Sequence, residues 1–225
     1  MLALNNVHHG DCLDLLKLVE SKTVDAIVTD PPFAFSDGST RCDVHGIDAT
    51  FYTCWLVDLF KHFYRVSKEE AIWFLWGDWK AFPCYSEALN KAKPDYWQRR
   101  WISHVFIHDR LSAGVGWPIR SSVECIALVK GRVTKLSSTI KSPVNNIIYS
   151  KWPHRRRHGH PASKSVEVAK KLISWACPPG GVLLDPFVGS GSVIVAAHEL
   201  GRTFLGIEKE SEFCELARDR VYANS

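Results

Sequence analysis

The chain has 225 residues, of which 46% are hydrophobic and 23% are charged, and its net charge is +4 at pH 7. This balance is typical of a globular protein and excludes a disordered tail, a collagen-like fibre and a low-complexity array. The apolar runs are far shorter than a membrane span of roughly 18 residues, and the first residues lack a signal peptide, so we expect a cytoplasmic protein without a membrane partner.

Strands and helices alternate along the chain. Short apolar runs predict strands, apolar residues at helical spacing predict amphipathic helices, and residues 33–50, rich in Ser, Asp, Gly and Thr, predict a long loop. This alternation favours a parallel α/β sheet with helices on both faces. The predicted strands are 24–29, 71–76, 102–107, 125–129, 182–185 and 203–207. The predicted helices are 51–66, 161–176, 193–200 and 210–223.

A carboxylate, two prolines and an aromatic ring stand together after the first predicted strand, in the run Thr29-Asp30-Pro31-Pro32-Phe33. The prolines end the strand and cannot propagate a helix, so Asp30 lies where a loop begins. Asp30 and a proline carbonyl can accept hydrogen bonds from an exocyclic amine, and Phe33 can stack on a planar ring. An ordinary turn that is capped by Asp has the same composition.

A basic run, KWPHRRRHGH, covers residues 151–160. It contains Trp152 and the consecutive Arg155, Arg156 and Arg157, which suit an unstacked base and a phosphate backbone, although a solvated surface turn has a similar composition. Its histidines have no nearby carboxylate or thiolate that would complete a ligand set, so we predict no metal site. Within the predicted loop over 33–50, Arg41 is a further candidate for a contact with a nucleic acid.

A glycine-rich turn, LLDPFVGSGS, follows the fifth predicted strand. Gly189 and Gly191 let a ligand approach the backbone, and the next helix offers free N–H groups. Glu208 stands at the following strand end, roughly 20 residues beyond Asp185, where an acidic residue suits two ribose hydroxyls. The glycine spacing alone also fits an ordinary turn or a nicotinamide cofactor, but Ile194 occupies the third position of the dinucleotide fingerprint.

Together these motifs resemble the amino-methyltransferases of DNA, which transfer a methyl group from S-adenosylmethionine (SAM) to adenine N6 or cytosine N4. The catalytic motif at 29–33 precedes the cofactor motif at 183–192, which is similar to the order in the β class of that family. The likeness extends to residues 10–12 and 200–208. It implies one domain over residues 1–225 with a Rossmann-like SAM-dependent methyltransferase fold: a mostly parallel seven-stranded sheet with helices on both faces.

The resemblance also implies roles for individual residues. Glu208 would bind the ribose of SAM, while Asp11 and Cys12 would lie near its adenine. The catalytic loop that holds a flipped base would consist of Asp30, Pro31, Pro32 and Phe33, with Asp30 also counted in the cofactor pocket. The remaining cofactor residues would be Lys164, Ser165, Asp185, Phe187, Gly189, Ser190 and Gly191.

This sequence departs from the family pattern at three positions. Phe33 stands where Tyr is commoner, Ser165 where Pro is usual and Ser192 where Thr is usual. Phe keeps the stacking face of Tyr and loses only its hydroxyl, so the resemblance still implies an active enzyme.

An Asp before Pro-Pro is the form that the family mostly shows in adenine enzymes, so the resemblance implies a site-specific DNA adenine-N6 methyltransferase that flips its target base. Cytosine-N4 methylation is the alternative, and a non-catalytic nucleic-acid-binding subunit of the same fold is a third hypothesis. Residues 132–159 form only a short stub for target recognition. A homodimer or a partner subunit that supplies sequence recognition is therefore an open expectation.

Overall fold

Eight strands form one sheet in the computed structural model, which describes residues 1–32, 48–77, 81–92, 102–110, 122–130, 146–149 and 163–223. In chain order they are β1 (Asn6–His9), β2 (Val24–Thr29), β3 (Ser67–Gly77), β4 (Ile102–Arg110), β5 (Ser122–Lys130), β6 (Ile147–Tyr149), β7 (Val182–Asp185) and β8 (Thr203–Glu208). Their order across the sheet is β1-β8-β7-β2-β3-β5-β4-β6. β5 runs antiparallel to both of its neighbours, and every other adjacent pair is parallel.

The predicted α/β fold with a mostly parallel sheet is confirmed, and all six strands located from the sequence are present. The expected count of seven strands is wrong, because the described residues contain eight. The sequence does not reveal β1 and β6, since runs of four and three residues are too short to show a period. β6 falls within the predicted recognition stub, so that part of the stub pairs with β4 and belongs to the sheet.

The helices are α1 (Cys12–Leu16), α2 (Ala49–Val66), α3 (Ala81–Ala92), α4 (Val166–Ala176), α5 (Ser192–Glu199) and α6 (Ser211–Tyr222). Helix α4 begins at Val166 and not at residue 161, because Ser165 has an extended backbone and its hydroxyl accepts a hydrogen bond from the Val168 N–H. Helix α2 begins at Ala49 and so takes up the last two residues of the predicted loop over 33–50. Residues 33–47 of that loop lie outside the described part of the chain. Within the described ranges, no helix has both the length and the apolar character needed to cross a membrane.

Helices cover both faces of the sheet, as predicted. The alternating side chains of β3 show this arrangement: Phe74 and Trp76 pack into one buried cluster, and Trp73 and Leu75 pack into the other. The first cluster also contains residues from α4, α5 and α6, and the second contains residues from α1, α2 and α3. Strands that are buried on both faces have nearly continuous apolar sequences, which is why β2 and β3 are visible in the sequence.

Candidate functional site

Three carboxylates and the glycine turn meet at one edge of the sheet. β8, β7 and β2 are parallel neighbours, and Glu208, Asp185 and Asp30 stand at their carboxyl ends. Asp11 follows β1, which pairs with β8. Ligands of open α/β sheets bind outside the carboxyl ends of the strands. This edge is therefore the candidate active site, and it unites motifs that lie far apart in the sequence.

Asp30 forms an ion pair with Lys164. The Nζ atom of Lys164 lies 3.1 Å from Oδ2 of Asp30, and the two side chains are only 13% (Lys164) and 20% (Asp30) exposed. The same Nζ lies 6.0 Å from the centroid of the Trp76 ring, within the range of a cation–π contact. A nearby cation favours the ionised form of a carboxyl group. The structure thus places Lys164, predicted as a cofactor residue, beside the predicted catalytic aspartate.

Asp185 is buried at the end of β7, with 1% of its surface exposed. Its Oδ1 accepts hydrogen bonds from the Thr29 hydroxyl at 2.6 Å and from the Phe187 N–H at 3.1 Å. Burial raises the pKa of the Asp185 carboxyl from its ordinary 3.8 to about 7; the two hydrogen bonds oppose this rise, and the charges of Glu208 and Asp30 add to it. Asp185 therefore fastens the end of β2 to the start of the glycine turn.

Glu208 holds the glycine turn through both carboxylate oxygens. Oε2 accepts a hydrogen bond from the Gly189 N–H at 2.7 Å, and Oε1 accepts one from the Glu210 N–H at 2.9 Å. Hydrogen bonds to a charged acceptor are stronger than neutral ones. The Glu208 side chain thus fixes the backbone of the turn. The sequence predicted only its contact with the ribose of SAM and not this structural role.

The glycines of the turn meet steric demands that a side chain would violate. Gly191 has φ +86° at the start of α5, and a Cβ there would lie 3.0 Å from the Cα of Ala217 in α6. Gly206 in β8 is a site residue that the sequence did not reveal: a Cβ there would lie 2.8 Å from Cγ2 of Val188. A glycine inside a strand signals a close approach of this kind. Both glycines keep α6 and β8 close to the turn.

Ser190, at the tip of the turn, is held by two residues that the sequence did not assign. Its hydroxyl accepts a hydrogen bond from the hydroxyl of Ser163 at 3.0 Å, and both side chains are buried. Its carbonyl accepts a hydrogen bond from the guanidinium of Arg220 in α6. Partners this distant along the chain carry no local sequence signal.

Asp11 and Cys12, predicted to lie near the adenine of SAM, begin α1. The Asp11 carboxylate accepts a hydrogen bond from the Leu13 N–H at 2.9 Å and so caps the helix. Burial raises the pKa of the Cys12 thiol to about 12, so this thiol stays protonated at neutral pH. Their proximity to the adenine of SAM stays a prediction.

Aromatic rings line the site beside the turn. The half-buried Phe187 packs against Trp55 of α2, with ring centroids 5.8 Å apart, and Trp55 stacks on Tyr52 at the same distance. The sequence placed Trp55 on an amphipathic helix but gave no reason to assign it to the site.

The other predicted site residues divide into two groups. Pro31 and Pro32 follow Asp30 directly, and Ser165 caps α4. The remaining predicted site residues lie outside the described part of the chain: Phe33, Arg41, Trp152, Arg155, Arg156 and Arg157.

Comparisons with known proteins place this geometry in context. A family model described as DNA methylase, for N6 and N4 enzymes, matches residues 24–219. The protein YubD of Escherichia coli (strain K12) is 27% identical over 217 residues, which cover 95% of this chain and 88% of YubD. The DNA adenine methyltransferase YhdJ of the same strain is 22% identical over 243 residues, which cover 95% of this chain and 81% of YhdJ.

Two solved structures share the fold. The complex of M1.HpyAVI with SAM matches with a TM-score of 0.72 at 19% identity, covering 96% of this chain and 98% of that one. The cytosine-N4-specific PvuII DNA methyltransferase matches with a TM-score of 0.77 at 15% identity, covering 95% of this chain and 85% of that one. The predicted Rossmann-like methyltransferase fold is thereby confirmed.

Proposed function

This chain belongs to the N6/N4 DNA methylase family, and from that premise we propose that it methylates N6 of adenine in DNA. The family assignment confirms the coarser predictions, a DNA methyltransferase with SAM as its cofactor. The observation that carries the proposal is the mostly buried Asp30 carboxylate, paired with Lys164 at the sheet edge that also holds the glycine turn.

The residues at this edge fit SAM. Gly189 and Gly191 have positive φ angles, which L side chains rarely adopt, so the turn keeps its tight backbone path only with glycine at these positions. Each Glu208 oxygen that accepts a backbone N–H has a second lone pair, which can accept a ribose hydroxyl. Phe187 and Trp55 supply an apolar wall. When bound, SAM supplies an electrophilic methyl group.

We assign to Asp30 the activation of the target amine. An exocyclic amine is a weak nucleophile, because its lone pair is delocalised into the base. A carboxylate that accepts the N–H hydrogen bond favours a pyramidal nitrogen with a localised lone pair, and it stabilises the positive charge that develops there during transfer. The Lys164 ammonium at 3.1 Å favours the ionised form of Asp30, which is the form that accepts the hydrogen bond.

The amine is inaccessible to this edge while the base is stacked in a duplex, so the proposed reaction requires base flipping. We assign Phe33 to stack on the flipped base, and a carbonyl of Pro31 or Pro32 to accept a second hydrogen bond from the amine. These assignments come from the sequence run and its resemblance to the family.

Methylation of DNA of mixed sequence, followed by sequencing that distinguishes modified bases, tests the proposal. The expected product is N6-methyladenine in one sequence context. N4-methylcytosine in its place would refute adenine and select the alternative. A chain that binds SAM and DNA but transfers no methyl group would instead be the non-catalytic subunit.

Asp30 has its own test within the same assay. Asp30→Ala is expected to abolish transfer and leave SAM affinity largely intact, and Asp30→Asn should be nearly as damaging, because its amide can present a donor to the amine. A rate for Asp30→Ala above about a tenth of wild type, which is a loss below roughly 1.4 kcal/mol, would contradict the assigned role.

We further propose that Arg155, Arg156 and Arg157 contact phosphates, with Trp152 and Arg41 as additional DNA contacts. Changing the three arginines to Ala is expected to weaken DNA binding at low salt. The slope of log affinity against log salt should flatten by roughly 0.9 for each phosphate that the variant no longer neutralises. A wild-type slope in the triple variant would move the DNA surface elsewhere.

The homodimer also stays a prediction. Analytical ultracentrifugation with and without DNA tests it.

A further inference from the structure

We propose that Thr29 is a positioning residue that couples the catalytic aspartate to the glycine turn at 183–192, here called the cofactor turn; this inference rests on the proposed function. Thr29 is fully buried, and its hydroxyl donates a hydrogen bond to Oδ1 of Asp185 at 2.6 Å. It directly precedes Asp30 in the chain. The Thr29 side chain thus links the position next to the catalytic carboxylate with Asp185, the acidic residue of the cofactor turn.

The backbone pairing shows why this side chain matters. β2 pairs with β7 at Ala26 and Ile27, which stand opposite Leu183 and Leu184. Thr29 lies beyond these pairs, although its backbone still pairs with β3. At this level, therefore, the backbone is held on the β3 side, and the Thr29 hydroxyl supplies the link on the β7 side.

Asp185 extends the link into the turn. The oxygen that accepts the Thr29 hydroxyl also accepts the Phe187 N–H at 3.1 Å. A change in the position of Thr29 is therefore transmitted to the turn, and the converse also holds. On the other side, Asp30 is tied to Lys164 at 3.1 Å. This chain of contacts sets the distance between the amine-accepting carboxylate and the cofactor turn.

Misplacement of a reacting group by about 1 Å can cost roughly 100-fold in rate. Thr29→Val has nearly the same shape but lacks the hydroxyl, so it breaks the link without opening a large cavity. We expect kcat to fall by about 10- to 100-fold. The dissociation constant of SAM should change by less than about threefold, because Glu208 still holds the turn through the Gly189 N–H. Thr29→Ser retains the donor and should recover most of the missing kcat.

Thr23→Val is the matched control. Thr23 stands just before the opposite end of β2, and its hydroxyl donates to the Glu20 carbonyl at 3.0 Å. The control removes one threonine hydroxyl near the same strand, away from the carboxyl edge. We expect a wild-type kcat from it.

The assay counts methyl groups transferred from labelled SAM to DNA, whichever base receives them, and normalises the rate to the concentration of SAM-binding sites. Normalisation removes the effect of a partly folded preparation. If Thr29→Val gives no folded protein, Thr29→Cys, which carries a weak donor of similar size, replaces it and should show an intermediate kcat.

The outcomes separate the two claims. A wild-type enzyme that transfers no methyl group refutes the proposed function. An active wild type with an unchanged kcat in Thr29→Val refutes the coupling and leaves the function intact. An equal loss of kcat in Thr29→Ser and Thr29→Val would also refute the coupling, since the hydroxyl would then be irrelevant.

Discussion

Replacing Asp185 by Asn is expected to stabilise the fold relative to wild type, by an amount that grows as the pH rises from 5 to 8. Oδ1 of Asp185 accepts both of its hydrogen bonds, from Thr29 and from Phe187. The carbonyl oxygen of Asn can accept the same two bonds. The substitution therefore removes the buried charge and keeps these contacts.

The sign follows from the pKa of Asp185, which burial raises from 3.8 to about 7 in the folded protein. Between these values the folded state binds more protons than the unfolded state, so the free energy of unfolding falls as pH rises. The contribution of Asp185 to stability is fully present below about pH 4 and is lost by about pH 8. A difference of about 3 pH units corresponds to at most about 4 kcal/mol.

Urea denaturation of wild type and Asp185→Asn at pH 5, 6, 7 and 8 measures this difference. The wild-type free energy of unfolding should decline relative to that of the variant across this range. Asp58→Asn is the comparison variant, because it makes the same chemical change at an exposed carboxylate, one that pairs with Lys61 on the surface of α2. Parallel curves for wild type and Asp185→Asn would refute the argument that burial holds a proton on Asp185.

Three further predictions concern the same edge. Glu208→Ala should weaken SAM binding by about 1.5–3 kcal/mol; it should also lower the free energy of unfolding, whereas a contact with ribose alone would leave unfolding unchanged. Gly191→Ala should reduce both stability and SAM affinity in calorimetry. Gly201 also has a positive φ but has open space around it, so Gly201→Ala should reduce stability only by the smaller cost of backbone strain. Lys164→Met removes the cation beside Asp30, so the acid limb of the pH–rate profile should move to higher pH. Lys164→Arg retains a cation and should keep the limb near its wild-type position. An unmoved limb in Lys164→Met would contradict the role of the ion pair.

The sequence predicts the parts of the fold that have a strong period or a continuous apolar run. Strands buried on both faces, such as β2 and β3, stand out for this reason, and their ends locate Asp30. Helix α1, with five residues, is too short to show a helical period. Helix α3 is long enough, but Pro83 stands in its first turn and the sequence gave no clear start.

The site could be predicted only as far as strand ends reveal it. Asp30, Asp185 and Glu208 stand at such ends, and a parallel sheet must bring them to one edge. The contacts that organise the edge are made by side chains distant in sequence, as between Thr29 and Asp185. Such pairs depend on strand order across the sheet, which local patterns do not encode.

Strand order also explains how three acids can share one edge. Asp30 has the Lys164 ammonium at 3.1 Å, and each carboxylate oxygen of Glu208 accepts a backbone N–H. Asp185 stands on β7, between the strands that carry the other two, and below pH 7 burial keeps it mainly neutral. A third charge in that position would repel both neighbours. A proton on the middle acid removes that repulsion from the edge at which the proposed amine-accepting and ribose-accepting roles are placed.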